Sequence, residues 1–222
     1  MTDTFDKQYW DKHWQERPAD GSGAEHPPNP YLARELGELV PGSALDAGCG
    51  TGAEAIWLAE HGWQVTAVDI SAEALARAEE RSAPRGMSQQ VRWVEADLSV
   101  WQPETQYDLV TTHYAHPAIP QLKFYDRIAR WVAPGGTLLI VGHLHTHGAA
   151  GNDHGSAGNH RGSAEAHHHP AEASATAASV SARLNPRDWE IVTAEEPRRT
   201  LTAPGGREVL LHDVVVRATR RS

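Results

Sequence analysis

The chain has 222 residues, of which 40% are apolar, and this composition is typical of a folded globular domain. Its 20 basic and 29 acidic residues give a formal net charge of −9, which excludes a fold-wide basic surface for nucleic acid. Apolar runs such as Leu138 to Val141 are too short to cross a bilayer, and the single cysteine excludes a disulfide framework. We therefore expect one domain, 1–222, in a cytoplasmic protein with no membrane partner; the oligomeric state is left open.

Residues 1–40 predict two helices joined by a loop. Residues 5–17 have the spacing of a helix, and a loop rich in proline and glycine follows it. Asn29 and Pro30 suit the start of a second helix that runs to about Leu39. Three aromatic residues lie on neighbouring turns of the first helix: Tyr9, Trp10 and Trp14. They predict either a lid over a ligand or aromatic packing of this helix on the domain.

From residue 44 onward, short apolar strands alternate with helices. The predicted strands are 44–47, 65–68, 91–96, 107–112, 137–141, 189–192 and 209–216. The helices between them start after Gly52, at the Ser71 cap, near Leu122 and at Ala171. Strands separated by helices pair in parallel, with helices on both faces of the sheet. The pattern predicts an α/β fold: a doubly wound, mostly parallel, seven-stranded sheet whose last two strands form an antiparallel pair.

A glycine-rich loop, 48–52, connects the first strand to a helix and is typical of a nucleotide-ligand site. Asp46 precedes it, Asp69 ends the second strand and Asp97 follows the third. A carboxylate at the end of the second strand can accept both ribose hydroxyls. A pyrophosphate would be poorly received beside Asp46, whereas a ligand with an amino group and a sulfonium would be well received. A dinucleotide fingerprint and an ordinary strand-to-helix turn are the alternatives.

Five segments in this order resemble the class I S-adenosylmethionine-dependent methyltransferases. They are LDAGCGTG (45–52), TAVDIS (66–71), VEADLS (94–99), YDLVTTHYAH (107–116) and APGGTLLIVGH (133–143). The resemblance implies a Rossmann-like fold and a cofactor site formed by Asp46, Gly48, Gly50, Thr51, Gly52, Asp69, Ile70, Asp97, Leu98, Thr112 and His113. The chain is also similar to the small tellurite-resistance and thiopurine methyltransferase-like branch, whose members methylate small molecules, often at sulfur, selenium or tellurium.

The acceptor site is predicted beyond the ends of the fourth and fifth strands, in the crevice shared with the cofactor. His113 and His116 are candidate catalytic acid–base or orienting groups, and the alternative is that they only line the crevice. Five further residues are candidates for binding the acceptor or for the lid: Tyr9, Trp10, Trp14, Tyr114 and His143. The segment after the fourth strand lacks the Asn/Asp-Pro-Pro-aromatic loop of enzymes that methylate exocyclic nitrogens. The expected acceptor is therefore a small molecule and not a nucleic-acid base.

Residues 143–170 contain eight histidines and predict a long surface loop inserted after the fifth strand. If that strand continues, His143, His145 and His147 share one face and suit Zn or Ni. A solvated loop that binds metal only adventitiously is the other interpretation. Three functions follow: a methyltransferase for small molecules, a metal-handling or ligand-sensing protein on the same fold, and an NAD(P)-dependent reductase.

Overall fold

The computed structural model of the protein describes residues 5–16, 27–144, 175–202 and 208–222. The helices within these ranges are α1 (Lys7–Glu16), α2 (Tyr31–Leu36), α3 (Ala53–Glu60), α4 (Ala72–Ser82), α5 (Gln121–Ala129) and α6 (Ala177–Ser181). The strands are β1 (Ser43–Ala47), β2 (Gln64–Asp69), β3 (Val91–Glu95), β4 (Tyr107–His113), β5 (Val132–His143), β6 (Trp189–Glu195), β7 (Arg198–Thr202) and β8 (Glu208–Arg220). None of the described helices is long and apolar enough to cross a membrane.

The strands form one sheet in the order β3-β2-β1-β4-β5-β8-β6, and β7 pairs with β8 off this path. The first five strands pair in parallel, and β8 runs antiparallel to β5, β6 and β7. This confirms the doubly wound, Rossmann-like α/β sheet with antiparallel strands at its C-terminal end. The seven predicted strands are all present, and β7 is an eighth.

Successive side chains of the central strands point to opposite faces of the sheet, and both faces are covered by apolar residues. In β5, Leu138 and Ile140 join the core that contains Phe124 of α5. Leu139 and Val141, between and beyond them, join the core formed with α2 and α3. Nearly continuous apolar runs in the sequence therefore supply two separate cores, one on each side of the sheet.

The structure differs from the sequence prediction mainly at element boundaries. The predicted helix 122–132 ends at Ala129, and Val132 already pairs with Tyr107 as the start of β5. The predicted helix 171–184 is short: Thr176 caps it by accepting the backbone N–H of Ser179 at 3.0 Å. That capping box fixes the start of α6 at the residue after Thr176.

The antiparallel pair predicted for the last two strands exists, with Trp189 of β6 opposite Arg220 of β8. It uses the C-terminal half of β8, whereas the N-terminal half pairs with β7. The sequence of β7 is Arg-Arg-Thr-Leu-Thr, which has too few apolar residues to indicate a buried strand. Most of the predicted 18–30 loop and most of the histidine-rich segment, with His145 and His147, lie outside the described residues.

Candidate active site

A cavity of about 420 Å³ lies at the carboxyl ends of the parallel strands and extends beneath α1. The sheet order reverses between β1 and β4, and ligands of open α/β sheets bind at such a switch point. Eight of the eleven residues predicted to bind the cofactor line this cavity: Gly48, Gly50, Thr51, Asp69, Ile70, Asp97, Leu98 and His113. The predicted acceptor-side and lid residues line it too: Tyr9, Trp10, Trp14, Tyr114, His116 and His143.

Three predicted cofactor residues, Asp46, Gly52 and Thr112, lie outside the cavity lining. Thr112 is buried and donates its hydroxyl hydrogen to the carbonyl of Ala47 at 2.8 Å, which ties β4 to β1. A Cβ at Gly52 would lie 2.6 Å from the ring of Trp93, so this glycine is needed for packing. Thr112 and Gly52 therefore support the site from behind its wall.

The glycine loop, 48–52, uses its backbone N–H groups within the protein. Gly48 and Cys49 both donate to the carbonyl of Val68, at 2.8 and 3.0 Å, and Gly50 donates to Asp69 Oδ2 at 2.8 Å. These three N–H groups therefore already have partners within the protein. A Cβ at Gly48 would lie 2.3 Å from the Cβ of Ala115, so the loop and the β4 connection approach each other too closely for any side chain.

Three carboxylates surround this loop: Asp46 and Asp69, which are buried, and the partly buried Glu54. Burial raises the pKa of Asp46 well above its ordinary value, and the nearby Glu54 and Asp69 raise it further. Burial also raises the pKa values of Glu54 and Asp69, against the opposing effect of backbone N–H donors. Oδ2 of Asp46 has no hydrogen-bond partner among the described residues. A cation bound at this loop would therefore stabilise the ionised forms of these carboxylates.

Of the carboxylates that line the cavity, Asp97 could be predicted from the sequence and Glu54 could not. Asp97, which was predicted, accepts the backbone N–H of Ser99 at 2.8 Å in a tight turn that brings Leu98 to the wall. Glu54, which was missed, lies in the first turn of α3 and accepts the N–H of Asn29 at 3.1 Å. No sequence motif marks Glu54, because an acidic residue in the first turn of a helix is common for reasons of helix stability alone.

Helix α1 covers the cavity with aromatic side chains. Trp14 lies over the glycine loop, 3.3 Å from the position of a Cβ on Gly50. At the other end, the ring of Phe5 lies 5.8 Å from the ring of His116. None of the residues of α1 itself is classed as buried. The predicted lid residues are thus placed over the predicted cofactor loop, and the helix rests on the surface of the domain.

Polar contacts fasten α1 to the strand ends below it. Lys7 Nζ donates to the carbonyl of Ile70 at 3.2 Å and to Glu95 Oε1 at 2.8 Å. Asp11 accepts the hydroxyl hydrogen of Ser71 at 2.8 Å, next to the ribose-binding candidate Asp69. Neither Lys7 nor Asp11 was identified from the sequence, because exposed charges on a helix usually have no specific partner.

The two histidines after β4 have different environments. His113 is buried, and burial lowers its pKa to about 3. Its Nε2 atom has no partner in the part of the chain that is described. Such an imidazole is neutral at physiological pH and is a weak base, which disfavours proton transfer and leaves an orienting role. His116 Nδ1 lies 3.2 Å from Oε1 of Gln121, an arrangement in which the ring donates to the amide oxygen.

His143, at the end of β5, belongs to a polar network that the sequence did not reveal. Its Nδ1 lies 3.2 Å from Oδ1 of Asp213, and its ring stacks on Tyr114 with centroids 4.2 Å apart. Arg199 links Asp213 to Tyr114, because it donates to Asp213 Oδ2 at 2.6 Å and to the Tyr114 hydroxyl at 3.0 Å. Among the described residues there is no group of three or more His, Cys, Asp or Glu side chains that could hold a metal ion.

Residues 44–136, less than half of the chain, match a family model described as a methyltransferase domain. The Ribosomal RNA small subunit methyltransferase C of Alcanivorax borkumensis is 34% identical over 118 residues, which are 46% of this chain and 33% of that protein. The Probable thiol methyltransferase 2 of Arabidopsis thaliana is 26% identical over 136 residues, 59% of each chain. The chain therefore spans between a third and three fifths of the length of these relatives.

A solved structure from work on the conversion of a disulfide bond into a thioacetal group during echinomycin biosynthesis resembles the whole chain. Its TM-score is 0.67, over 97% of this chain and 91% of that chain, at 20% identity. This likeness shows the fold. Together with the family match it confirms the resemblance predicted from the five segments between residues 45 and 143.

Proposed function

We propose that this chain, which carries a class I S-adenosylmethionine-dependent methyltransferase domain over residues 44–136, transfers a methyl group from that cofactor to a small-molecule acceptor. The observation that carries the proposal is the group of carboxylates at the glycine loop. Asp46, Glu54 and Asp69 create a site for a cation, and the cofactor carries an ammonium and a sulfonium group.

The residues of the cavity fit such a cofactor. Asp69, at the end of β2, would accept the ribose hydroxyls, and Ile70, Asp97 and Leu98 would surround the adenine. The methionyl part would lie along the glycine loop, 48–52. Asp46 lies behind this loop and outside the cavity lining, and its buried Oδ2 has no partner among the described residues, so its carboxylate would favour a positive group at that end through its charge.

Methyl transfer is a displacement at a carbon that the sulfonium has already activated, so positioning supplies much of the catalysis. Trp10 and Trp14 of α1 line the cavity, and aromatic rings attract a desolvated cation that lies over their faces. His113 and His116 remain proposed contacts at the end of β4, where the acceptor and the methyl group would meet. The buried, neutral His113 would orient a bound group and not exchange a proton with it.

The same electrostatics disfavour the reductase alternative. A dinucleotide places a doubly charged pyrophosphate at the glycine loop, which here lies beside three carboxylates, and relies on backbone N–H groups of that loop to receive it. Those of Gly48, Cys49 and Gly50 are already hydrogen-bonded within the protein. The metal-handling alternative has no support among the described residues, and His145 and His147 lie outside them.

The acceptor is proposed to be small and either neutral or cationic. No lysine or arginine is among the described residues that line the cavity, which holds aromatic, histidine and acidic side chains. A multiply anionic acceptor would therefore enter a site with no fixed positive charge to balance it. Since one relative is named a thiol methyltransferase, thiols belong among the first acceptors to test. The cytoplasmic location expected from the lone cysteine stays a prediction.

The test measures cofactor binding and turnover separately. Titration calorimetry with S-adenosylmethionine, S-adenosylhomocysteine and NADH should give binding of the first two and none of the third. The protein is then incubated with S-adenosylmethionine and a panel of thiols, phenols, amines and carboxylates, and S-adenosylhomocysteine is measured by mass spectrometry. Binding of NADH in place of S-adenosylmethionine, or turnover only with carboxylates, would contradict the proposal.

A further inference from the structure

His143 and Asp213 are held opposite each other by the sheet itself. They occupy paired positions of β5 and β8 in the antiparallel register, at the edge of the cavity. His143 Nδ1 lies 3.2 Å from Asp213 Oδ1, whereas the His143 side chain lines the cavity. Because paired residues of adjacent strands keep a fixed spacing, the backbone determines the position of one side chain relative to the other.

Asp213 is fully buried and ionised within a set of donors. Besides His143, its carboxylate accepts Arg199 Nε at 2.6 Å and the Tyr31 hydroxyl at 3.1 Å, both at Oδ2. Burial alone would raise the pKa of Asp213, but the hydrogen bonds from His143 and Arg199 outweigh it and hold the pKa below its ordinary value. The carboxylate is therefore available to stabilise a positive imidazolium.

Tyr114 completes the frame around the pair. It is the one non-glycine residue with a left-handed backbone, φ 55°, in the described part of the chain, and its ring stacks on His143. Its hydroxyl oxygen accepts hydrogen bonds from Arg199 at 3.0 Å and Asn29 at 3.2 Å. Burial raises its pKa to about 12, so it remains neutral. A strained residue that persists at a cavity wall is typical of a functional constraint.

We propose that His143 accepts the proton of the methyl acceptor, and that Asp213 positions His143 and stabilises its positive charge; this rests on the proposed methyltransferase function. The acceptor X–H gives its proton to the imidazole as its electron pair attacks the methyl carbon. The carbon–sulfur bond breaks, and its electron pair stays on sulfur as neutral S-adenosylhomocysteine. The imidazolium, balanced by Asp213, releases the proton to solvent after the product leaves.

His143 is favoured over the histidines after β4 because it faces the buried carboxylate of Asp213. The imidazolium formed in the transfer is stabilised by such a nearby negative charge. Nδ1 of His116 faces the neutral amide of Gln121, and the pKa of His113 is lowered by burial to about 3. The acceptors that gain from this arrangement carry their proton at neutral pH, as phenols and alkyl thiols do.

The first test needs no acceptor. The full chain, labelled with 15N-histidine and saturated with S-adenosylhomocysteine, is titrated by NMR, with His143→Gln used for assignment. We expect His143 as the Nδ1–H form in the wild type. In Asp213→Asn the amide oxygen should keep its bonds to Arg199 and Tyr31, so the amide N–H group faces His143 and favours the Nε2–H form. An Nε2–H form in the wild type, or the same form in both proteins, would overturn the proposal. If Asp213→Asn fails to fold, the form seen in the wild type and the next test decide.

The second test compares phenol and thiophenol acceptors, of which the latter is largely deprotonated at pH 7.5. His143→Gln should lower kcat for a phenol at least 100-fold, lower it less than tenfold for thiophenol, and leave the Kd of S-adenosylmethionine unchanged. His212→Gln is the matched control, because His212 is the neighbouring histidine of β8, binds the Glu196 carbonyl and does not line the cavity.

Unchanged kcat for the phenol in His143→Gln would refute the role of His143 as the base. Failure of the wild type to bind S-adenosylmethionine would refute the proposed function instead. If neither acceptor is methylated, the NMR titration decides.

Discussion

The carboxylates at the glycine loop stabilise a bound ligand and destabilise the empty fold. A group whose folded pKa is raised contributes its stability at low pH and loses it as the pH rises through that pKa. Asp46, Glu54 and Asp69 are all of this kind, so the stability that each contributes is lost as the pH rises through its raised pKa. A bound cation would offset part of the cost of ionising them, which is the usual exchange of stability for function at a site.

Asp46→Asn should therefore make the unliganded protein more stable and its cofactor affinity weaker. The amide keeps the shape and can accept the N–H of Ala55, but it removes a charge that burial and two neighbouring carboxylates disfavour. We expect a gain on the order of 1 kcal/mol in the free energy of unfolding at pH 7.5, measured by urea denaturation. The affinity for S-adenosylmethionine should fall about tenfold, by calorimetry.

Asp108→Asn provides a control of opposite sign. Hydrogen bonds from the backbone and hydroxyl of Ser43 lower the pKa of Asp108, so its ionised form stabilises the fold at neutral pH. This substitution should lower stability slightly and leave cofactor binding unchanged. A loss of stability in Asp46→Asn would contradict the idea that the Asp46 carboxylate lowers the free energy of unfolding of the unliganded protein.

His113 should make the protein sensitive to mild acid. Its folded pKa of about 3 lies far below its ordinary value. Below pH 6.5, His113 therefore binds a proton in the unfolded chain but stays neutral in the folded chain. Stability is lost by about 1.4 kcal/mol for each pH unit below 6.5, down to the folded pKa. Between pH 7 and pH 5 the wild type should lose about 2 kcal/mol more than His113→Gln, by urea denaturation at each pH.

Equal pH dependence of the wild type and His113→Gln would mean that the imidazole is protonated in the folded protein. In that case the orienting role argued for His113 would have to be replaced by one in proton transfer.

At the scale of elements, the sequence predicted those that carry apolar periodicity and missed those held by polar contacts. The core strands and α4, with its Ser71 cap, are where they were expected, because burial and capping act locally. Strand β7 was missed because its pairing with β8 depends on backbone hydrogen bonds, which any sequence can supply. Helix α1 was predicted, but not the residues that fasten it to the domain.

The Lys7 contacts predict how α1 controls the cofactor. Lys7→Met should keep the helix and remove the bonds to Ile70 and Glu95, which loosens the cover over the site. Because Lys7 is largely exposed, a modest effect follows: a two- to tenfold faster dissociation of S-adenosylmethionine, measured by stopped-flow tryptophan fluorescence. Lys12→Met is the matched control, since Lys12 pairs with Glu16 inside the same helix. Equal dissociation rates in Lys7→Met and the wild type would mean that α1 does not retain the cofactor.

At the scale of the whole molecule, the proposed cofactor side of the site follows from the sequence and the proposed base side does not. The glycine loop and the acids at or near the carboxyl ends of β1, β2 and β3 recur with a spacing that the parallel sheet dictates, so their proximity was predictable. Asp213 meets His143 and Tyr31 across 70 and 182 residues of chain. Those contacts depend on where β8 inserts beside β5, and no local pattern specifies that register.

Since the cofactor would contact loops from β1 to β5 and α1 at once, its binding should stabilise the molecule as a unit. At a concentration one hundred times its Kd, S-adenosylmethionine adds about 2.7 kcal/mol to the free energy of unfolding. For a chain of this length the Tm should rise by about 5–10 °C by differential scanning calorimetry.

NADH at the same concentration should leave the Tm unchanged. Asp69→Asn should reduce the shift produced by S-adenosylmethionine, because the ribose loses its charged partner. Hydrogen exchange should slow most in α1 and the glycine loop and least in β6, which lies at the edge of the sheet away from the glycine loop. A Tm that rises equally in Asp69→Asn would mean that the ligand is held elsewhere on the molecule.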